Sequence, residues 1–304
     1  MYDVVILGGG PSGLAAGVYA ARSNLRTVIV EKGLPGGQMQ NTLEVENYPG
    51  FLEIIGPELS EKMHQHATHF GVEWQQGEVE SVDMDGLEKT VHLVGGEILV
   101  GKAIIIATGA QPRYLGVPGE REFSGRGVSY CATCDGAFFR NKKVVVVGGG
   151  DSALEEGTFL TKFAASVTII HRRGELRAQP ILQDRAFNNE KIDFIWNTQV
   201  TDIVGDGVVK SVKLANTETG EESTLDTDGV FIYVGFLPNT EYLKGSSILN
   251  NEGYVVTDGK MATEIPGIFA AGDIRDTPLR QIITATSDGA IAAMSAYHYT
   301  ETLD

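Results

Sequence analysis

The chain is poor in cysteine and in basic residues, and each shortage excludes a class of protein. Its 304 residues include two cysteines. Two cysteines cannot supply the disulfide framework of a secreted protein, and in a reducing compartment a close pair is typically catalytic or metal-binding. The chain has 24 Lys and Arg against 40 Asp and Glu, a net charge of −16. Such a charge repels phosphate backbones and anionic lipids, so neither nucleic acid nor membrane is an expected partner.

Long apolar runs are also missing. No apolar run approaches the roughly 18 residues that a membrane helix needs. The apolar strand pattern starts at Tyr2, directly after Met1, without the basic region and cleavage site of a secretory signal. We therefore expect a cytoplasmic location.

Glycine, in contrast, is abundant. The chain contains 38 glycines, which indicates tight backbone turns of the kind that contact ligands. The length is about twice that of a typical domain, so two domains with separate cores are expected.

The first ligand-binding pattern lies at the N-terminus. A strand at 2–7 leads into the turn Gly8-Gly-Gly10-Pro-Ser-Gly13, followed by a helical stretch at 14–22 and a strand at 27–30 that ends at Glu31. In such a pattern Gly8 allows the tight turn, Gly10 lets a pyrophosphate approach the backbone, and Gly13 lets helix and strand pack closely. Glu31 stands where a carboxylate accepts hydrogen bonds from ribose hydroxyls. Since all parts appear in register, the pattern predicts a dinucleotide site.

The same pattern recurs 140 positions later, from Gly8 to Gly148 and from Glu31 to His171. A strand at 143–147 leads into Gly148-Gly-Gly150-Asp-Ser-Ala153, a helical stretch through Phe163 and a strand at 166–170. Here the acidic residue is replaced by His171-Arg-Arg173, followed by Arg177. Guanidinium groups pair with a 2′-phosphate, which a carboxylate would repel. The second site is therefore predicted to bind NADPH in preference to NADH.

Three further motifs indicate a longer ligand in the first site. They are Gly36-Gly37-Gln38, Ala107-Thr108-Gly109 after a predicted strand at 103–106, and Gly272-Asp273 after a predicted strand at 265–271. Strand ends and glycine turns of this kind place backbone amides and a carboxylate along an extended ligand. The length of this footprint predicts FAD.

The order of these motifs predicts a discontinuous domain. The FAD motifs lie in the first 110 residues and again after residue 260, so we expect an α/β fold with two Rossmann-like dinucleotide-binding domains. The FAD domain comprises 1–112 and 241–304, and the NADPH domain, 113–240, is inserted between its two parts. Proline, glycine and asparagine mark the two crossovers, which we interpret as hinges: Pro112, Gly116, Pro118 and Gly119 on the way out, and Gly235, Pro238 and Asn239 on the return.

The two cysteines stand in the motif Cys131-Ala-Thr-Cys134-Asp135, within the inserted domain. A disulfide across two intervening residues closes too small a loop to stabilise a fold much. A structural zinc site needs four ligands, and no second cysteine pair exists. We interpret the pair as a dithiol in which one thiolate attacks a substrate disulfide, the other resolves the mixed disulfide, and Asp135 protonates the departing sulfur. A histidine group of the other domain is interpreted as a solvated helix face: His64, His66 and His69.

Along nearly its whole length the chain resembles the bacterial low-molecular-weight NADPH-dependent thioredoxin reductases. The segments that carry the resemblance are 8–13, 36–39, Glu44-Val-Glu-Asn-Tyr-Pro-Gly50, 131–135, 148–153, 171–173 with Arg177, and 271–273 with Arg280-Gln281. The resemblance implies a homodimer with one FAD per subunit. It also implies that five residues lie near the flavin or its ribityl chain: Asn47, Asp273, Arg280, Gln281 and Ile282.

The resemblance further implies the reaction. Electrons pass from NADPH through FAD to the Cys131–Cys134 disulfide, with Asp135 as acid, and on to thioredoxin, while the domains rotate about the crossovers between half-reactions. No metal is expected. The expected FAD residues are Gly8, Gly10, Pro11, Ser12, Gly13, Glu31, Lys32, Gly36, Gly37, Gln38, Asn47, Val79, Ala107, Thr108, Gly109, Gly272, Asp273, Arg280, Gln281 and Ile282. The expected NADPH residues are Gly148, Gly150, Asp151, Ser152, Ala153, His171, Arg172, Arg173 and Arg177.

Three other functions compete with this interpretation. A reductase of the same build could serve another disulfide carrier, such as a glutaredoxin-like protein. The cysteine-free ferredoxin–NADP reductase relatives are contradicted by Cys131 and Cys134. A redox-sensing flavoprotein would bind both nucleotides without turnover, and NADPH oxidation with a disulfide acceptor separates that class from an enzyme.

Overall fold

The computed structural model describes residues 1–42, 45 and 47–303, without the side chains of Asn41, Thr133 and Cys134. It divides into two compact units. Unit 1 comprises Met1–Gln111 and Leu237–Asp304, and unit 2 comprises Pro112–Phe236.

The described strands and helices follow one another along both units. The strands are β1 (Tyr2–Leu7), β2 (Thr27–Glu31), β3 (Glu73–Gln76), β4 (Val79–Asp83), β5 (Lys89–Leu93), β6 (Ile98–Ile106), β7 (Ala110–Pro112), β8 (Val128–Ser129), β9 (Lys143–Gly148), β10 (Ser166–Ile170), β11 (Ile192–Ile195), β12 (Thr198–Asp206), β13 (Val208–Asn216), β14 (Glu222–Asp226), β15 (Gly229–Tyr233), β16 (Phe236–Pro238) and β17 (Ile268–Ala270). The helices are α1 (Pro11–Arg22), α2 (Gly56–His69), α3 (Ala132–Asp135), α4 (Asp151–Leu160), α5 (Pro180–Phe187) and α6 (Ile282–Glu301).

Unit 1 is built on a parallel sheet. Strands β3, β2, β1, β6 and β17 are neighbours in that order and run parallel. The first half of β6 instead pairs antiparallel with β5, which pairs with β4. β6 thus belongs to both layers, because its residues Ile104–Ile106 meet β17 while Ile98–Gly101 meet β5.

Both faces of β1 are buried, as expected for a strand inside a parallel sheet. Val4 and Ile6 pack with the helix side, which includes alanines of α6. Val5 and Leu7 point to the opposite face and pack with the antiparallel layer, including Val91 of β5. Because these strands run parallel, their carboxyl ends lie at the same edge of the sheet as the glycine turn that follows Leu7.

Unit 2 repeats this design. Its parallel sheet has the order β11, β10, β9, β15, β8. Val144 and Val146 of β9 pack with α4 and α5, whereas Val145 and Val147 pack with the antiparallel sheet of β12, β13 and β14. The repeated pattern in the sequence is thus a repeated architecture, and the predicted α/β fold is confirmed.

The unit boundaries differ from the predicted ones by one residue on the way out and by four on the return. Residues 237–240 belong to unit 1, because Asn239 is bound to the end of β6. Its side-chain Nδ2 donates to Thr108 O at 2.8 Å, and Thr108 Oγ1 donates to Asn239 O at 3.0 Å. Near the boundary, β7 and β16 pair with each other.

Three predicted elements have different lengths in the structure. The strand predicted at 103–106 begins at Ile98, and the strand predicted at 265–271 covers Ile268–Ala270, because a turn with Gly267 at φ +81° precedes it. The helix predicted through Phe163 ends at Leu160. Among the described residues, no helix combines the length and the apolar character needed to cross a membrane.

The histidine group on α2 is partly solvated. His66 and His69 are exposed, as predicted, but the prediction is wrong for His64. The His64 ring lies edge-on to Trp74 with 4.7 Å between ring centroids, and its Nε2 is buried without a hydrogen-bond partner among the described residues. Trp74 fills the space below the first glycine turn, since a Cβ on Gly9 would lie 2.4 Å from its ring.

Candidate active site

The turn between β1 and α1 is too tightly packed for side chains at two of its glycines. Gly8 has φ +105°, and a Cβ there would lie 2.3 Å from Ala107 O. A Cβ on Gly13 would lie 1.9 Å from Gly8 O. At Gly10, in contrast, no atom of the described residues lies within 4 Å of a built Cβ. The backbone at Gly10 is therefore open on the side from which a ligand can approach, at the N-terminus of α1, where Pro11 opens the helix.

Glu31 closes this turn from the end of β2. Its Oε2 accepts a hydrogen bond from Gly9 N at 2.7 Å, and its Oε1 accepts one from Gly33 N at 2.7 Å. Each carboxylate oxygen has a second lone pair, so both can still accept from a ligand hydroxyl. Glu31 thus shapes the glycine turn as well as facing the site.

A cavity of about 470 Å³ opens beside this turn within unit 1. Five residues predicted for the FAD site line it: Gly8, Glu31, Lys32, Val79 and Thr108. The exposed Lys32 forms an ion pair with Glu78, another lining residue, at 3.2 Å. Asn239 and Tyr242 complete the wall, and the Tyr242 hydroxyl lies 3.0 Å from Thr108 Oγ1. Ala107 is buried at the end of β6, and Gly109 follows Thr108 with φ +64°.

The Gly36-Gly37 turn packs against the first glycine turn. Gly36 N donates to Gly9 O at 2.7 Å, and a Cβ on Gly37 would lie 3.3 Å from Gly10 Cα. Gln38 Nε2 donates to Ala110 O at 3.4 Å. The structure therefore brings the second predicted motif to the first one.

The Gly272-Asp273 motif also reaches α1. A Cβ on Gly272 would lie 2.7 Å from Oγ of the buried Ser12. Burial raises the pKa of the Asp273 carboxyl to about 6, Arg280 opposes this rise and Asp288 adds to it. Asp288 is itself held by Arg275, at 2.6 Å.

Arg280 and its neighbours lie at the start of α6. The Arg280 guanidinium lies over the Tyr254 ring, 4.7 Å from its centroid, and its Nε is buried without a hydrogen-bond partner among the described residues. Gln281 caps α6, whose first residue is Ile282, and its Oε1 accepts from Asn47 Nδ2 at 2.9 Å. Glu44 and Glu46 of the motif at 44–50 lie outside the described residues.

The second glycine turn, in unit 2, has the same construction. A Cβ on Gly148 would lie 2.4 Å from Tyr233 O and 2.7 Å from the methyl of Ala153. For a Cβ built on Gly150, the part of the chain that the structure describes has no atom within 4 Å. Ser152 is exposed at the start of α4. Asp151 accepts hydrogen bonds from the backbone and side chain of Gln179, at 2.7 and 2.9 Å. The open glycine again marks a place where a ligand can approach the backbone.

His171 and the three arginines form one group at the end of β10. His171 is 5% exposed, and a Cβ on Gly149 would lie 2.3 Å from its ring. Burial lowers the pKa of His171, and the nearby Arg172, Arg173 and Arg177 lower it further, against an opposing hydrogen bond with the Glu175 backbone. The three arginines are exposed. His171 is thus a neutral support beneath the turn, with the cationic groups around it.

The redox motif lies in the same unit as the arginines. Cys131 is half-buried and takes part in a disulfide. It precedes α3, and Asp135 at the end of α3 donates its N–H to Cys131 O at 3.2 Å. The Cys134 side chain lies outside the described residues.

Two nucleotide-type turns and a disulfide in one chain are the features of a known enzyme family. The profile of the pyridine nucleotide-disulphide oxidoreductases matches residues 2–289. The chain belongs to this family.

Similar members of the pyridine nucleotide-disulphide oxidoreductases span the whole chain. This chain is 57% identical over 304 residues to the thioredoxin reductase of Bacillus subtilis, and the match covers 100% of this chain and 96% of that protein. The crystal structure of Lactococcus lactis thioredoxin reductase in its FR conformation has 50% identity and a TM-score of 0.86, with 99% and 100% of the two chains covered. The crystal structure of T. acidophilum thioredoxin reductase has 38% sequence identity and a TM-score of 0.83, with 100% of this chain and 99% of that chain covered.

Some residues of this family member's site have no signal in the sequence. Asn239 and Tyr242 line the cavity of unit 1. Asn239 was predicted as a crossover residue and not as a ligand-binding residue, and Tyr242 belongs to no glycine motif. Gly77 and Glu78, between β3 and β4, and Glu80 of β4 also line it. Their position depends on which strand neighbours β2, and a single strand pattern does not show that.

Proposed function

We propose that the chain is a thioredoxin-disulfide reductase that uses FAD and NADPH. FAD, when bound, passes two electrons from NADPH to a protein disulfide. The observation that carries the proposal is the disulfide at Cys131, which lies in the same unit as the arginine-rich nucleotide turn. The thioredoxin reductases named above support the proposed substrate.

The residues of unit 1 fit FAD. Gly10 leaves the backbone open for a pyrophosphate, and Glu31 retains lone pairs for ribose hydroxyls. Two buried polar groups, the Arg280 Nε and the desolvated Asp273 carboxyl, fit the hydroxyls of a ribityl chain. We assign to FAD the twenty residues predicted from the sequence, together with Asn239 and Tyr242.

The residues of unit 2 fit NADPH. Gly150 leaves room in which a pyrophosphate would fit at the start of α4, and Arg172, Arg173 and Arg177 present three exposed guanidinium groups that would pair with a ribose 2′-phosphate. His171 holds the turn from below as a neutral ring. We assign to NADPH the nine residues predicted from the sequence.

The cysteine pair transfers the electrons to the partner. After reduction of the disulfide, one thiolate of Cys131 and Cys134 attacks a sulfur of oxidised thioredoxin, and the partner's other sulfur leaves as a thiolate that takes up a proton. The second cysteine then attacks the mixed disulfide, re-forms the Cys131–Cys134 bond and releases reduced thioredoxin. Asp135, four residues after Cys131, supplies a proton to a departing sulfur.

We also propose that the units rotate between the two half-reactions. The NADPH turn and the cysteine pair both belong to unit 2, and both must reach one flavin held by unit 1. They therefore take turns, with the crossovers near residues 112–119 and 235–239 as hinges. Gly116 and Gly235 have φ +77° and +111°, a backbone region that glycine enters at low cost.

The proposed assembly is a cytoplasmic homodimer. Light scattering after gel filtration tests it, since a dimer has twice the 32.6 kDa of one chain. A single-chain mass would contradict the homodimer without affecting the proposed reaction.

The decisive experiment is NADPH oxidation by the purified yellow protein with oxidised thioredoxin as acceptor. We expect turnover with NADPH, weak turnover with NADH, and none in Cys134→Ser. Ferricyanide, which takes electrons from a reduced flavin, should still be reduced by Cys134→Ser, and this control shows that flavin and NADPH sites are intact.

Other results would redirect the proposal. If the protein contains flavin and reduces a glutaredoxin-like protein but not thioredoxin, the proposed substrate is wrong and the proposed enzyme class is kept. No oxidation of NADPH with any disulfide acceptor would contradict an enzyme and favour a redox sensor.

A further inference from the structure

Glu120 is a carboxylate buried in unit 2, with 1% of its surface exposed. Its Oε1 accepts hydrogen bonds from Leu115 N at 2.9 Å and from the Tyr130 hydroxyl at 2.8 Å, and its Oε2 accepts from Gly116 N at 2.7 Å. A buried charge is tolerated when donors satisfy it, and these three donors do so. The carboxylate therefore joins the segment that enters unit 2 to the residue directly before Cys131.

Tyr130 is fixed on its ring as well as at its hydroxyl. The ring stands edge-on to Tyr114, with 5.4 Å between centroids, and Arg121 lies over the Tyr114 ring at 5.7 Å. Burial raises the pKa of Tyr130, and the adjacent Glu120 carboxylate raises it further. The hydroxyl thus stays protonated and remains a donor to Glu120.

Cys131 is anchored on its other side by Ser129. Ser129 is 4% exposed, and its strand β8 pairs with β15. Its Oγ accepts from Cys131 N and donates to Cys131 O, each at 3.1 Å. The backbone at Cys131 consequently has one anchor in the sheet and a second through Tyr130 and Glu120.

We propose that Glu120 and Tyr130 are positioning residues for the redox reaction of Cys131. The buried carboxylate, through the Tyr130 hydroxyl, fixes the backbone that leads into the disulfide. The inference rests on the proposed function, in which the disulfide takes up two electrons and two protons and becomes two thiols, the electrons coming from NADPH through FAD. A misplacement of about 1 Å can slow a reaction about a hundredfold, so a loosened anchor is expected to slow this step.

The first test is Tyr130→Phe in a single-turnover experiment with the FAD-loaded protein. One equivalent of NADPH is mixed with the protein in the absence of oxygen. The visible flavin absorbance is followed as it falls on reduction of the flavin and recovers when electrons pass to the cysteines. We expect the fall to keep its rate and the recovery to slow about tenfold, since one hydrogen bond to a charged acceptor is lost. Tyr114→Phe is the matched control, because it removes a neighbouring hydroxyl and keeps the ring against Tyr130, and it should recover at the wild-type rate.

The second test separates positioning from partner binding. With thioredoxin as acceptor, Tyr130→Phe should lower kcat and leave kcat/KM for thioredoxin unchanged, because the slowed step precedes the reaction with thioredoxin. Glu120→Gln should also slow the flavin recovery, and the double variant should be no slower than the slower single variant, because both changes break one connection. If Glu120→Gln does not fold, Tyr130→Phe decides the question.

Three results would overturn the proposal. A lower Tm in Tyr130→Phe with unchanged recovery would assign the network to fold stability. A raised KM with unchanged kcat would place Tyr130 in the contact with thioredoxin. If the flavin absorbance of the wild-type protein does not recover, the proposed function itself is contradicted and this inference fails with it. That result differs from one in which the wild-type enzyme is active and the variant recovers at the same rate.

Discussion

The glycine turns of units 1 and 2 have the same backbone design and different chemistry around it. Each follows a buried parallel strand, starts a helix and leaves one glycine, Gly10 or Gly150, open to a ligand. Where unit 1 has Glu31, whose oxygens accept two backbone N–H groups, unit 2 has the buried His171 with exposed arginines beside it. The backbone of a turn thus recognises what all dinucleotides share, and the residue after the second strand distinguishes them.

The largest expected loss of stability comes from Gly13→Ala, which gives unit 1 the residue that unit 2 has at the matching position. Unit 2 has Ala153 at the matching position, but in unit 1 a methyl group on Gly13 would lie 1.9 Å from Gly8 O. Gly13→Ala must move α1, at a cost of about 3 kcal/mol. We expect a lower Tm and loss of flavin on dialysis, measured by thermal unfolding and absorbance.

The reverse change, Ala153→Gly, is the control for this prediction. It removes a methyl from unit 2 and should cost about 1 kcal/mol through the lower helix propensity of glycine. If Gly13→Ala keeps its flavin and its Tm, the tight packing of α1 against the turn is not what fixes the site.

The next effect concerns Arg172, which corresponds to Lys32 of unit 1. In the proposed NADPH site, Arg172→Ala removes a charge-assisted partner of the 2′-phosphate and should cost about 2 kcal/mol, or about thirtyfold in KM for NADPH. KM for NADH, which lacks that phosphate, should stay the same. Steady-state kinetics with both donors check this, and an equal rise for both would show that Arg172 holds a shared part of the nucleotides.

A smaller effect is expected for pH. The folded-state pKa of His171 is depressed, so its neutral form is favoured in the fold, and stability is lost as pH falls from its unfolded pKa of about 6.5 toward the folded value. Above that range His171 contributes no pH dependence. His171→Gln should therefore flatten the decrease of Tm between about pH 7 and pH 5, and an unchanged slope would assign the decrease to other groups.

The smallest effect is expected for Lys32→Ala. Lys32 and Glu78 are both more than half exposed, and exposed ion pairs contribute about 0.5 kcal/mol or less. We expect flavin affinity to change about twofold or less in a fluorescence titration. A change as large as that of Arg172→Ala on NADPH would mean that the Lys32 ammonium group is a main contributor to FAD binding.

Much of the fold could be predicted because the glycine turns stand in regular strand and helix patterns. The 140-residue repeat correctly gave two parallel sheets, and the split of the FAD motifs gave a unit built from both ends of the chain. The exact boundary could not be predicted, because Asn239 is held by hydrogen bonds to Thr108 and no turn residue signals those bonds.

The site residues were predicted from local sequence motifs. Contacts between residues that are distant in the sequence could not be predicted in this way. Glu31 was predicted as a ribose ligand, but its bonds to Gly9 and Gly33 need the folded turn to be seen. Glu120 reads as an ordinary charged residue between Gly119 and Arg121. Three donors satisfy its buried carboxylate, the adjacent N–H groups of Leu115 and Gly116 and the hydroxyl of Tyr130. No sequence period indicates that these groups meet.

The split of unit 1 has a consequence for synthesis on the ribosome, where the chain emerges from its N-terminus. Strand β6 meets β17 along Ile104–Ile106, and α6 packs on the helix side of the same sheet. Until residues 107 to 270 have been added, the edge of β6 that pairs with β17 stays unpaired, and such edges are surfaces on which nascent chains aggregate. Unit 2 has all its strands by residue 236, so the inserted unit can complete its core while its host is still open.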